Sequence, residues 1–234
     1  MREELFRQAM ILGEEATERL AHKRVAVFGI GGVGSYLVEA LSRSGVGDLL
    51  LVDPDSIALS NVNRQLHALH STVGRNKAET MKDRVLDINP ECKVIADTRF
   101  VDGDNYTDFD LAGYDYVADC IDTVSSKLLL IEECTRLATP IVSCMGTGNK
   151  LDPTRFEVAD IYSTSVCPLA RVMRTELKKR GIPALKVVYS RETPIKPTLE
   201  VEDPIRRATP GSISYCPSTA GLIMASVIIE EITR

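Results

Sequence analysis

RVAVFGIGGVGSYLVEALSRSGVGDLLLVDPD, residues 24–55, decides the fold. The opening run after Arg24, Val25 to Phe28, is apolar and rich in β-branched valine, as a strand covered on both faces requires. It closes on Gly29, Gly31, Gly32 and Gly34. From there Leu37, Val38 and Leu41 recur at helical spacing until Gly45 and Gly47 stop the helix. A second apolar run, DLLLV, ends in the acids of DPD, Asp53 and Asp55. Strand, glycine turn, helix and strand make a βαβ unit, and such units build a parallel sheet with helices on both faces.

The same alternation extends outward. Residues 3–21 read as a helix. Residues 75–88 place Ala78, Met81, Val85 and Ile88 on one helical face, and Asn89-Pro90 ends it. CKVIADTRF, YDYVADCID and PIVSCMG read as three further strands, with a helix from about Ser126 to Ala138 joining the last two. After Leu151 the pattern loosens: FEVADIY and LKVVYS are strands flanking an amphipathic helix, about Leu169 to Arg180. Glu192 to Gly211, with four prolines, reads as a loop, and an apolar helix follows from about Thr219 to Ile232. The expected fold class is α/β: a Rossmann-like, doubly wound, mostly parallel sheet with helices on both faces.

At 234 residues the chain suits one α/β domain better than two cores. A net charge of -5 argues against an overall nucleic-acid-binding footprint. A polyanionic partner would have to meet a local patch, and Arg171, Arg174, Lys178, Lys179, Arg180, Arg206 and Arg207 are the candidates; a solvated helix face is the plainer reading. The charged start, MREELFRQAMILGEE, does not resemble a signal peptide, and TAGLIMASVII is short for a membrane span, so the expectation is a cytoplasmic protein with no membrane partner. The six cysteines form no CxxC pair and the three histidines sit near none of them, which predicts no zinc. Cys92, Cys120, Cys134 and Cys144 lie in apolar segments and read as inert buried thiols. Cys167 and Cys216 each precede a proline and read as loop residues open for function.

Gly29, Gly31 and Gly34 form a GxGxxG between strand and helix, and Asp53 ends the next strand. Glycines let backbone approach a phosphate, the helix N-terminus offers free N–H groups, and the acid can bind a ribose hydroxyl. This says nucleotide without saying which; an NAD-dependent dehydrogenase is the usual owner, and a non-catalytic nucleotide-binding module is a further alternative. The residues after strand two favour a triphosphate. SNVNRQ supplies Asn61, Arg64 and Gln65, and Lys77 opens the next helix: an arginine fork, amides and a point charge suit anionic oxygens. Asp122, at the end of YDYVADCID, falls at the sheet edge where ligands bind, and a carboxylate there can hold Mg²⁺ against phosphates.

GIGGVGS, DPD, SNVNRQ, GRNKAE, INP and DCID together resemble the adenylation signature of the thiamine- and molybdopterin-pathway adenylyltransferases and the ubiquitin-activating enzymes, the ThiF-like superfamily. The resemblance implies one adenylation domain over residues 1–234, with a nucleotide-binding core at 24–148 and a substrate-side extension with the C-terminal helix at 149–234. It implies ATP with Mg²⁺ as the cofactors: Asp53 on the ribose, Asn61, Arg64, Gln65 and Lys77 on phosphates, and Asp122 on the metal. Arg7, in FRQ, resembles an arginine that this superfamily sends across a homodimer interface to the partner's ATP. Beyond Met145, LDPTRFEVADI, PLARVMRTELKKRGI and VVYSRETP are similar to the tRNA threonylcarbamoyladenosine dehydratases. This similarity implies ATP-dependent cyclisation of a threonylcarbamoyl side chain in the tRNA anticodon loop through an acyl-adenylate. The alternative is activation of another carboxylate, such as the C-terminus of a ubiquitin-like sulfur carrier, with a sulfur-relay or carrier protein as partner. Arg64, Lys77, Asp122 and Arg7 are the expected catalytic residues, and no general base is identifiable. Cyclisation needs no covalent cysteine, so Cys216 reads first as a structural or substrate-side contact, with an acyl-carrying role as its alternative.

Overall fold

A computed structural model describes residues 2–199 and 210–234. Seven strands form one sheet: β1 (Arg24–Phe28), β2 (Asp48–Val52), β3 (Lys93–Asp97), β4 (Tyr116–Asp119), β5 (Ile141–Cys144), β6 (Phe156–Asp160) and β7 (Lys186–Ser190). Their order is β3-β2-β1-β4-β5-β7-β6; every pair is parallel except β6 with β7. The expected mostly parallel, doubly wound sheet is thus what forms.

Side-chain alternation along the strands sorts the core into layers. Val25, Val27, Leu49 and Leu51 face a layer made by α3 (Gly34–Arg43), α4 (Lys77–Ile88) and α7 (Tyr215–Thr233). Ala26, Phe28, Leu50 and Val52 face the opposite way, onto Phe109 and onto Leu130 and Cys134 of α5 (Val124–Leu137). Next to it, α6 (Pro168–Lys179) packs Ala170, Met173 and Leu177 against Val187 and Tyr189. Asn76 caps α4 by accepting from the Glu79 N–H, and Asn89 closes its far end.

Two boundaries depart from the sequence pattern. The helix expected over residues 3–21 is broken by Gly13 at φ +88°, giving α1 (Phe6–Leu12) and α2 (Glu14–Leu20) after a short turn at Glu3–Leu5. The last helix starts at Tyr215, not Thr219, because Pro217 lies in its first turn, where a missing N–H costs no hydrogen bond. By length and composition α7 could cross a membrane, but 56% of its apolar window is buried here. Ala220, Met224 and Ile228 belong to the main core. Its apolarity is thus largely taken up within the fold, whereas α1 exposes Phe6, Met10 and Ile11.

Candidate active site

The strand order reverses between β1 and β4, and there the sheet's carboxyl edge opens into a cleft of about 500 Å³. Backbone crowding explains the glycines. Gly29 sits at φ +88°, and a Cβ there would stand 2.7 Å from the Cys120 carbonyl oxygen. A Cβ on Gly34 would lie 1.9 Å from the Gly29 carbonyl oxygen, so the turn and the start of α3 close only with hydrogen at both positions. Gly31 and Gly32 line the cleft between them.

The β2 side is charged. Asp53 is buried and accepts from the N–H groups of Ile30 (2.7 Å) and Asp55 (2.9 Å). Burial raises its carboxyl above the usual range, against the opposing pull of Lys77. Lys77 is buried, its ammonium 2.6 Å from Asp55 and 3.8 Å from Asp53. It is not a solvated residue of the first helical turn; the two acids offset its mismatch with the helix dipole. Arg64 lines the cleft, held by the Ser60 carbonyl (2.8 Å) and the Asn63 amide oxygen (2.9 Å). No carboxylate among the described residues pairs with it, and burial lowers its pKa. Gln65 also lines the cleft, and its Oε1 is buried without a partner. Asn61 does not line it: its Oδ1 accepts from the Ala58 N–H and closes its own short turn, Leu59–Asn61. Sequence reasoning passed over His67, buried behind these residues with Nε2 donating to the Ile30 carbonyl at 2.7 Å. Desolvation drops its pKa to about 4, which keeps the ring neutral.

On the β4 side the strand ends at Asp119, three residues before Asp122. Asp119 is fully buried, 2.9 Å from the equally buried Lys127 ammonium, and accepts from the Ser143 hydroxyl. Lys127 also donates to the Ile121 carbonyl at 2.9 Å, which pins the loop that carries Asp122. Asp122 is exposed at the cleft wall and accepts from the Thr123 hydroxyl at 3.4 Å. The N-cap of α5 is Thr123, so Asp122 is not the cap. Phe100, Val101 and Ile121 add an apolar wall beside it. The sequence reading carried β3 on to Phe100 and marked neither Phe100 nor Val101 for the site; pairing stops at Asp97, and both lie in the loop beyond it.

Neither Cys167 nor Cys216 lies in an open loop, and the first reading of Cys216, a structural contact, is the one its burial supports. Cys216 lies buried in the first turn of α7, its thiol on the Lys150 carbonyl at 3.3 Å, and burial raises its pKa. Cys167 is buried at the start of α6. A nucleophilic cysteine needs a stabilised thiolate and access; Cys216 has neither. Cys92, Cys134 and Cys144 are buried as expected, their thiols pushed up to about 12 by desolvation. Cys120 is only partly buried, and it lines the cleft. Arg7 is exposed on α1, outside the cleft. That segment packs by Leu5 and Gln8 against the α3–β2 connection, at the opposite end of the strands.

A glycine-walled cleft with one buried lysine, one arginine lacking an acid, and an exposed acid facing them is built for a polyphosphate. Family comparison gives the same direction: the ThiF family model matches residues 5–233. The chain belongs to the ThiF family. Among ThiF-family relatives, a tRNA threonylcarbamoyladenosine dehydratase of Bacillus subtilis is 46% identical, covering 100% of this chain and 96% of that protein. The Escherichia coli protein of that name is 44% identical over 170 residues, covering 73% of this chain and 63% of its own length. The crystal structure of the E. coli dehydratase in complex with ATP superimposes with a TM-score of 0.90 at 36% identity, covering 99% of this chain and 94% of that one. The complex with AMP superimposes at 0.88.

Proposed function

We propose that this protein uses ATP to dehydrate the threonylcarbamoyl side chain of an adenosine in tRNA, closing it into a ring. The observation that carries the reading is the cleft's cationic, glycine-walled end in a chain alike over its full length to a dehydratase of that name. A carboxylate loses oxide poorly. Attack of the substrate carboxylate on the α-phosphorus of ATP expels pyrophosphate and gives an acyl-adenylate. A nucleophile of the same side chain then closes on the activated carbonyl, and AMP leaves with the oxygen.

In this scheme Arg64 and Lys77 neutralise the phosphates, Gln65 orients them, and Asp53 takes the ribose. Asp55 holds Lys77 until the nucleotide arrives. Asn61 supports the loop that presents Arg64. Among the described residues no group of three or more His, Cys, Asp or Glu can hold a metal alone. Asp122 would therefore hold Mg²⁺ jointly with the nucleotide's oxygens, the usual way this ion binds. The ion would offset phosphate charge. Arg7 has no path to its own cleft, which supports its action in the partner's site of a homodimer formed through α1. ATP and tRNA as substrates make the protein cytoplasmic.

Activation of a carrier-protein C-terminus remains the second reading, favoured only by the more distant Drosophila adenylyltransferase and sulfurtransferase MOCS3 proteins, 34–36% identical over 57–60% of this chain. ATP–pyrophosphate exchange separates the two. Threonylcarbamoyl-modified tRNA should stimulate exchange and a Gly-Gly-ending carrier should not; the reverse result would install the second reading.

A further inference from the structure

A chain of net charge -5 that binds tRNA must meet its phosphates locally. α6 begins at the mouth of the cleft, which Leu169 lines. Besides its buried stripe of Ala170, Met173 and Leu177, the helix carries four basic residues, with Arg180 a fifth at its C-cap, and the structure divides them. Arg174 is turned onto the Thr164 carbonyl at 2.9 Å. Lys179 and Arg180 are paired with Glu176 at 2.7 and 2.6 Å, and Arg180 also reaches Glu132 at 3.0 Å. Arg206 and Arg207 lie outside the described residues.

Arg171 and Lys178 remain, both exposed, with no carboxylate among the described residues in salt-bridge range. They are seven residues apart, two turns and roughly 10.5 Å along one face. Three exposed helix arginines of this chain do pair with an acid one turn away, Arg19 with Glu15, Arg43 with Glu39 and Arg136 with Glu133. Around Arg171 and Lys178 the positions three and four residues away carry no acid, and Arg174 stands between them at like-charge spacing. Like charges so placed are unfavourable in a helix, a mismatch that a bound anion offsets.

We propose that Arg171 and Lys178 of α6 hold the phosphate backbone of the tRNA next to the nucleoside that enters the cleft. The proposal rests on the tRNA reading above. A nucleoside processed in a cleft must be splayed from its loop, and the backbone on either side of it then leaves the rim along α6, past Arg171 in the first turn and Lys178 two turns further on.

The test is binding of an anticodon stem-loop RNA across a salt series by the full-length protein. Against the parent, Arg171→Ala/Lys178→Ala should weaken binding about tenfold near 0.1 M salt and flatten the log–log salt slope by roughly 1.5, as loss of two phosphate contacts requires. Its ATP affinity and melting temperature should stay unchanged. Lys179→Ala/Arg180→Ala removes the same net charge from paired positions and should change the slope by less than half as much. Equal losses in the two double variants, or none in the first, would overturn the surface while the tRNA reading stands. A parent protein that binds no RNA would overturn both.

Discussion

Lys77 carries the sharpest residue-scale claim, because its ammonium faces two acids and the cleft at once. Lys77→Ala should weaken ATP binding at least tenfold by calorimetry. It should also cost about 1–3 kcal/mol of stability in denaturant unfolding, since buried Asp53 loses its counter-charge. Unchanged ATP affinity would make Lys77 a structural ion-pair partner only. Asp122→Asn should abolish Mg²⁺-dependent turnover while ATP affinity falls less; a normally active variant would end the metal assignment. His67 gives a pH signature. Its folded pKa of about 4 lies below the unfolded 6.5, so the unfolded chain binds the proton more tightly between those values. Stability is then complete above pH 6.5 and lost as pH falls toward 4. By linkage wild type should lose about 2 kcal/mol more than His67→Gln between pH 7.5 and pH 5; parallel losses in the two proteins would contradict the burial of a neutral ring. That Arg64, Gln65, Lys77 and Asp53 gather at one cleft was legible from the sequence, since all four fall just past a glycine turn at the sheet's carboxyl edge. Asn61 was legible as part of the motif, but its amide closes a local turn. Only the place of Cys216 was misread: a proline after a cysteine suggests a loop, yet proline is equally at home in a helix's first turn.

At the scale of elements, periodicity located every strand of the sheet and most helices, because the βαβ repeat leaves uninterrupted apolar runs. What it could not supply were contacts between elements. YVADCID reads as one strand, whereas pairing stops at Asp119, whose carboxylate turns to Lys127 from α5. Only tertiary packing reveals that Asp119, not Asp122, is the buried acid. Lys127→Met should therefore destabilise the fold by about 3–5 kcal/mol, because it strands a carboxylate in the core. A thermal melt within two degrees of the parent would show that Asp119 finds another partner. The α3–α7 contact offers a second check. A Cβ at Gly221 would stand 2.3 Å from the Val33 carbonyl, beside the phosphate-binding turn. Gly221→Ala should lower stability by roughly 1–3 kcal/mol, as overpacking does, and weaken ATP binding with it, since Val33 and Gly32 must shift.

For the whole molecule, the cleft lies at one end of the strands, and α1 with Arg7 and its exposed Phe6, Met10 and Ile11 packs at the other. A second copy is the simplest way to bring Arg7 to a nucleotide, so a dimeric mass at micromolar concentration is expected. Met10→Asp/Ile11→Asp should give monomers with much reduced turnover. A fully active monomer would remove Arg7 from the site. The central claim is the chemistry itself, and mass spectrometry of tRNA nucleosides tests it most directly. After incubation with the protein, ATP and Mg²⁺, threonylcarbamoyladenosine should be replaced by a nucleoside lighter by one water, with AMP and pyrophosphate formed in equal amount. Unaltered threonylcarbamoyladenosine, in a preparation that binds ATP, would contradict it.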